Sequence, residues 1–477
     1  MTKKTLLILS LLLVMVFVFA GCSKESFKTE GLKVESMQGE LTSNGGVSVS
    51  YKGYTYFING DVASYSVENT YGQVKYGAVC RVKTSQLTDE TFQNREFGTD
   101  EYAEVEILAP KAVYTTATAN GEANGLYIFN DRLYYTSPST TKDSEGAKLT
   151  GYLDIFSVKL DGTDTQRLFT VDANTYDMML AADGESVYAV YVKSGKLVTV
   201  ELTAAKPVET TVVSSVSEYK FIVNKGVVVY SVSVEEEGHE GHDHNTCNTL
   251  GVYRVGEDNG TDLISGEHAD GQDLSYDVVM TIVAVTENNV YFTVEEDVAG
   301  RNGLYRIALN TNGKAFANGD ATKVNGENIL ESGVIYEKDG QENIIFYNTN
   351  EKHLQYFDGA NYKDMFYTTS APTLVKVVNG KLFYTTSAGL KFISVEDYIA
   401  AGFNGTNARE EDVKVVSAKT AVTSSWLTYD FYGDYALYLA KTDDGDVYLY
   451  YTDFNDNEQS NKSEYFIGIF VDVTATA

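Results

Sequence analysis

The 477-residue chain carries 67 acidic against 37 basic side chains, a formal charge of −30, with 36 Tyr and only 4 Pro. So negative a surface repels phosphate backbones and anionic headgroups, which excludes nucleic acid as a partner and leaves cationic ligands, metal ions and neutral glycans. The length accommodates two or three average domains or one large repetitive one.

Residues 1–21 open with Lys3 and Lys4, continue in an apolar run over 6–20 broken only by Ser10, and end at Gly21 before Cys22. The run is shorter than the roughly 20 residues that a spanning helix needs and fits a secretory signal. Phe19-Ala20-Gly21-Cys22 resembles the lipobox of bacterial lipoproteins, with Phe where that family usually has Leu. The resemblance implies cleavage before Cys22, acylation of its thiol, and a protein tethered outside the cytoplasm. That place is the outer face of the plasma membrane, the periplasm or the outer membrane. No later apolar run is long enough to span a bilayer, so the lipid bilayer is a partner through the acyl anchor alone. Residues 22–46 are polar, lack an apolar period and read as a flexible tether.

From residue 47 to 470 one theme repeats: a Gly, Asn or Asp turn followed by β-branched and aromatic residues. It is seen as YTYF (54–57), DRLYY (131–135), GESVY (184–188), GVVVY (226–230), NVYF (289–292), NIIFY (343–347), GKLFY (380–384) and DYALY (434–438). Each reads as a short strand with its turn. Most are followed by a second strand alternating with period two, as in 154–162, 197–202, 252–255 and 304–309. Recurrence every 40 to 60 residues or so predicts an all-β chain, a single propeller of seven or eight four-stranded blades with eight preferred. Stacked sandwiches and a β-solenoid are the competing architectures. The pairing of the two strands, clearest at 154–168 and 183–188, resembles the blades of TolB-type propellers. The aromatics read as blade-to-blade packing. One helix is predicted, capped by Ser394, with acids in its first turn and Gly402 as its stop. Residues 471–477 form a C-terminal tail.

Two loops carry candidate ligands. Residues 235–247, EEEGHEGHDHNTC, hold His239, His242 and His244 with Asp243 between them. Imidazoles and carboxylates suit Zn or another divalent transition metal, and the segment resembles the His-rich loops of metal-handling surface lipoproteins. A polar loop with no fixed geometry is the plainer reading, and the spacing is one residue short of HExxH. Asp453, Asn455, Asn457 and Glu464 fall at positions 1, 3, 5 and 12 of a calcium-type loop, but Glu458 stands where that loop needs Gly. A polar hairpin tip suits them better. Cys80 and Cys247 read as thiols or a bridge, which spacing does not decide. No G-x-S-x-G elbow occurs, and a single Trp, Trp426, argues against propeller classes that repeat Trp in every blade. The expected role is a non-enzymatic binding or scaffold module for a protein, peptide or glycan. A propeller glycosidase or polysaccharide lyase is the alternative, and metal binding through 235–247 a further one.

Overall fold

The computed structural model describes the strands and tight turns between Ser48 and Phe466. Residues 1–47 and 467–477 and the longer connections, among them 60–77, 91–104, 110–124, 235–246, 266–278, 296–302, 310–320, 326–332, 404–413, 418–428, 442–446 and 455–464, lie outside the described residues. The described residues form eight four-stranded sheets, each built from four consecutive strands. They cover 48–109, 127–172, 178–213, 216–265, 279–325, 333–367, 373–417 and 429–466, numbered blades 1 to 8.

All eight predicted turn-and-strand segments become the second strand of a blade. They are Tyr54–Asn59, Arg132–Pro138, Ser186–Lys193, Val227–Val234, Asn289–Glu295, Gln341–Asn348, Lys381–Thr386 and Tyr435–Lys441. The alternating segments become third strands, such as Tyr152–Lys159, Lys196–Glu201, Cys247–Arg254 and Gly303–Ala308. The turns before the second strands explain themselves. Asp339-Gly340 and Asn379-Gly380 have φ of 52° and 73° and of 49° and 71°, the left-handed pair that a tight hairpin requires.

The repeat is more exact in space than in sequence. Every second strand places an aromatic at the same ladder position: Phe57, Tyr135, Tyr191, Tyr230, Phe292, Phe346, Tyr384 and Tyr438. None is more than 4% exposed. In blades 1 to 7 the third-strand residue opposite directly follows a register shift towards the fourth strand. The residue before each shift is a buried aliphatic: Val79, Ile155, Leu197, Leu250, Leu304, Leu354 and Leu390. Such irregularities raise local twist, which suits the outer edge of a propeller blade. In blade 4 the residue facing Tyr230 is Gly251, because a Cβ there would lie 2.3 Å from the tyrosine ring.

Sheets that bury both faces must pack on two neighbours, and here each does. Apolar clusters join blades 2 and 3, 3 and 4, 4 and 5, 5 and 6, 6 and 7, and 7 and 8. A further cluster joins blade 1 both to blade 2 and, through Leu437 and Tyr451, to blade 8. Among the described residues no blade borrows a strand from the far end of the chain, so the described sheets close into a ring by side-chain packing. Approaches between blades run chiefly through first strands, which places these innermost.

Antiparallel alternation gives the ring two unlike faces. First-to-second turns and third-to-fourth connections leave from one face, termed lower. Second-to-third connections and the links between blades leave from the other, termed upper. The predicted helix is present as α1 (Val395–Ala400) on the lower side of blade 7; the Ser394 hydroxyl accepts a bond from the Asp397 amide at 3.2 Å. Glu396 on α1 reaches back to blade 6, accepting from Lys338 Nζ at 2.5 Å and from the Tyr336 hydroxyl. Those two donors hold its carboxyl below the usual range.

That contact is one of five with a common sense around the lower face. Lys52 Nζ meets Asp131 at 2.5 Å, Lys225 meets Glu287 at 3.3 Å, and Asn289 donates to Glu342 at 2.8 Å. Lys338 meets Glu396, and Asn379 donates to Asp434 at 2.9 Å. In each the donor belongs to one blade and the acceptor to the next. Exposed pairs of this kind add little stability singly, yet they fix the order and spacing of the lower turns.

Candidate functional site

The seam between blades 4 and 5 departs from the repeat near its upper end. Blade 4 begins with the strand Val216–Ile222, and Ser217 is an extra residue: Val216 pairs with Val232 and Glu218 with Ser231. Blade 5 begins with Val279–Val285, where Val283 is extra between Ile282 and Ala284. Bulges re-aim side chains. Here Ile282 packs towards blade 4 and Val283 towards blade 6.

The same seam caps a strand edge with side chains. Asn248, on the third strand of blade 4, accepts from the Met280 amide at 2.7 Å and donates to the Met280 carbonyl at 2.6 Å. It also donates to Ser231 Oγ at 2.7 Å. Glu218 accepts from the Ile282 amide at 3.0 Å. Main-chain groups of an innermost strand are thus satisfied by an amide and a carboxylate from the preceding blade, a substitute for the missing strand. Ser217 and Thr281 flank this edge and are exposed.

Burial pushes the Glu218 carboxyl above its ordinary range, against smaller opposing effects from the Ile282 amide and Lys220. The neutral acid is therefore favoured on folding. At pH 4 the wild type and Glu218→Gln are expected to be close in stability, since both side chains are mostly uncharged. As pH rises through the folded-state value, the wild type loses stability relative to Glu218→Gln, which keeps an acceptor for Ile282. Urea denaturation between pH 4 and pH 7.5 checks the sign; a gap that shrinks on raising the pH contradicts it.

The sequence-predicted ligands are placed as follows. Cys22 and His239, His242, Asp243 and His244 lie outside the described residues. The strand ends that bracket the histidines, Val234 and Cys247, pair with each other at the upper end of blade 4. Asp453 closes the third strand of blade 8, paired with Tyr435, while Asn455, Asn457 and Glu464 lie outside the described residues. The connection 455–464 leaves from the lower face, so the two candidate metal loops are rooted on opposite faces. Cys80 is buried in blade 1, its Sγ 3.8 Å from the Ala78 carbonyl, and Cys247 belongs to blade 4, which does not adjoin blade 1. Among the described residues no group of three His, Cys, Asp or Glu is gathered as for a metal. Glu218 and Asn248 were not singled out by sequence. The one available signal was a carboxylate inside an otherwise strand-like run, which also fits a solvent-facing position.

The fold and its seams define the class: an all-β propeller. No family model matches the chain, and no curated protein matches it. Among solved structures, dihydro-heme d1 dehydrogenase NirN is 13% identical, with 83% of this chain and 72% of that one covered at a TM-score of 0.44. A puromycin hydrolase is 13% identical, with 76% of this chain covered at a TM-score of 0.42; the chain spans about half, 54%, of its length. A eukaryotic initiation factor is 12% identical, with 93% and 92% covered at a TM-score of 0.41. At these identities and scores the likeness extends no activity to this chain.

Proposed function

We propose that the chain is a lipid-anchored binding module of the cell envelope, whose ring presents its upper face to a protein, peptide or glycan. The observation that carries this reading is the bulged seam between blades 4 and 5, which sets the Glu218 carboxylate at the upper end of the ring. Lower turns between first and second strands are short, and five of the seams carry a lower-face contact, four between such turns or the strand ends beside them and one to α1. Long connections leave both faces, 60–77, 110–124, 139–151 and 266–278 above and 84–105, 309–321 and 395–413 below, and the bulged seam with Glu218 lies at the upper end. Long connections on a rigid scaffold are where binding residues concentrate. The anchor follows from the lipobox-like Phe19-Ala20-Gly21-Cys22. Stable attachment takes about two acyl chains, each buried CH₂ contributing about 0.8 kcal/mol.

Metabolic labelling with a palmitate analogue tests the anchor. The wild type is expected to take up label and sediment with membranes. Cys22→Ser is expected to lose both; equal labelling of the two would refute acylation at Cys22.

A further inference from the structure

We propose that the upper end of the seam between blades 4 and 5 receives a basic peptide segment, with a Lys or Arg side chain of the partner meeting the Glu218 carboxylate between Ser217 and Thr281. The inference rests on the binding-module reading and narrows its ligand.

Three observations point the same way. One Glu218 oxygen is committed to the Ile282 amide; among the described residues Glu218 has no ion-pair partner within reach, and only Lys220 acts on it at longer range. A half-buried carboxylate without a close cation gains most from one brought by a ligand. Ser217 and Thr281 are exposed on the two strands that meet there; the Ser217 hydroxyl donates to the Ser231 carbonyl at 3.2 Å and keeps lone pairs with which to accept from an ammonium or guanidinium. The field favours the same charge. Connections rooted at the upper ends of blades 4 and 5, 235–246 and 266–278, contain nine Asp and Glu and no Lys or Arg, whereas 60–77, 110–124 and 139–151 are nearly balanced. These nine acids are rooted beside the Glu218 seam and favour a cationic segment there; the other strongly acidic upper connection, 442–446 with three Asp, is rooted across the ring on blade 8.

The test is calorimetric titration of the full chain in neutral detergent with acetylated tetra-arginine amide, its neutral tetra-citrulline counterpart serving as control. The wild type is expected to bind the first and not the second. Glu218→Gln should weaken binding about tenfold, the scale of one charge-assisted hydrogen bond. Glu337→Gln removes the same charge from an exposed lower position on blade 6 and should change it less than about twofold. Affinity should also fall as pH is lowered in both proteins, since the acids and histidines of 235–246 and 266–278 titrate too, and the fall should be steeper in the wild type than in Glu218→Gln. Gln is nearly isosteric and keeps the Ile282 contact, and an unchanged far-ultraviolet spectrum confirms that the variant is folded. Equal losses in the two variants would show attraction to the acidic surface alone and overturn the proposal, as would no loss in Glu218→Gln. Binding of a neutral oligosaccharide, with tetra-arginine ignored, would overturn it while leaving the binding-module reading intact.

Discussion

Asp154→Ala is expected to lower the unfolding free energy by about 3–5 kcal/mol, the cost of removing one partner from a buried ion pair. Asp154 is fully buried on the third strand of blade 2. Its carboxylate accepts from Ser139 Oγ at 2.9 Å, from Thr170 Oγ1 at 2.6 Å and from Arg167 Nη1 at 3.3 Å. Arg167 in turn reaches Thr141 at 3.3 Å, so the carboxylate organises the start of the connection 139–151 as well as two strands. Ala leaves a guanidinium that is only 11% exposed without its counter-charge. The double variant Asp154→Leu, Arg167→Met removes both charges and should recover part of the loss, because apolar side chains of similar volume often replace a buried pair at little cost. Urea denaturation of the three proteins decides. A single-variant loss under about 1 kcal/mol would mean that the pair is solvated and organises nothing.

The second large effect belongs to the seam that closes the ring. Tyr451 is fully buried, and with Leu437 it forms the blade 8 share of the cluster reaching blade 1. Phe383, Phe392, Phe431 and Phe454 pack the preceding seam, between blades 7 and 8. Tyr451→Ala is expected to cost about 3–5 kcal/mol, the range for deleting a large aromatic from a core. Because no strand among the described residues crosses between the ends, the damage should localise. Amide exchange should accelerate first in Ser48–Tyr51 and Tyr429–Tyr432, the first strands of blades 1 and 8. Acceleration spread evenly over all blades would contradict closure by packing at this seam.

Much of this architecture was legible in the sequence, for identifiable reasons. A tight turn such as Asn379-Gly380 followed by alternating Leu382, Phe383 and Tyr384 states both where a strand starts and which faces it buries. Ser394 followed by Glu396 and Asp397 states where a helix starts. What stayed illegible depends on partners distant in sequence. The bulges at Ser217 and Val283 are properties of a pairing, and no local signal marks the residue left over. Asn248 reads as a polar residue near a strand end. Only the fold brings it to Met280, 32 positions on, with both of that residue's main-chain groups in reach. Glu218 and Ile282 are 64 positions apart and meet the same way. The common sense of the lower-face contacts was hidden for a like reason, since Lys52 and Asp131 become neighbours only when two turns align.

The central claim is that the ring meets its partner through the upper face, and site-directed photo-crosslinking in intact expressing cells tests it most directly. Benzoylphenylalanine would be placed singly at Ser217 and Thr281 on the upper side and at Glu185 and Asn288 in exposed lower turns. The account predicts a discrete higher-mass adduct from the upper positions and none from the lower pair. Adducts confined to Glu185 and Asn288 would contradict it.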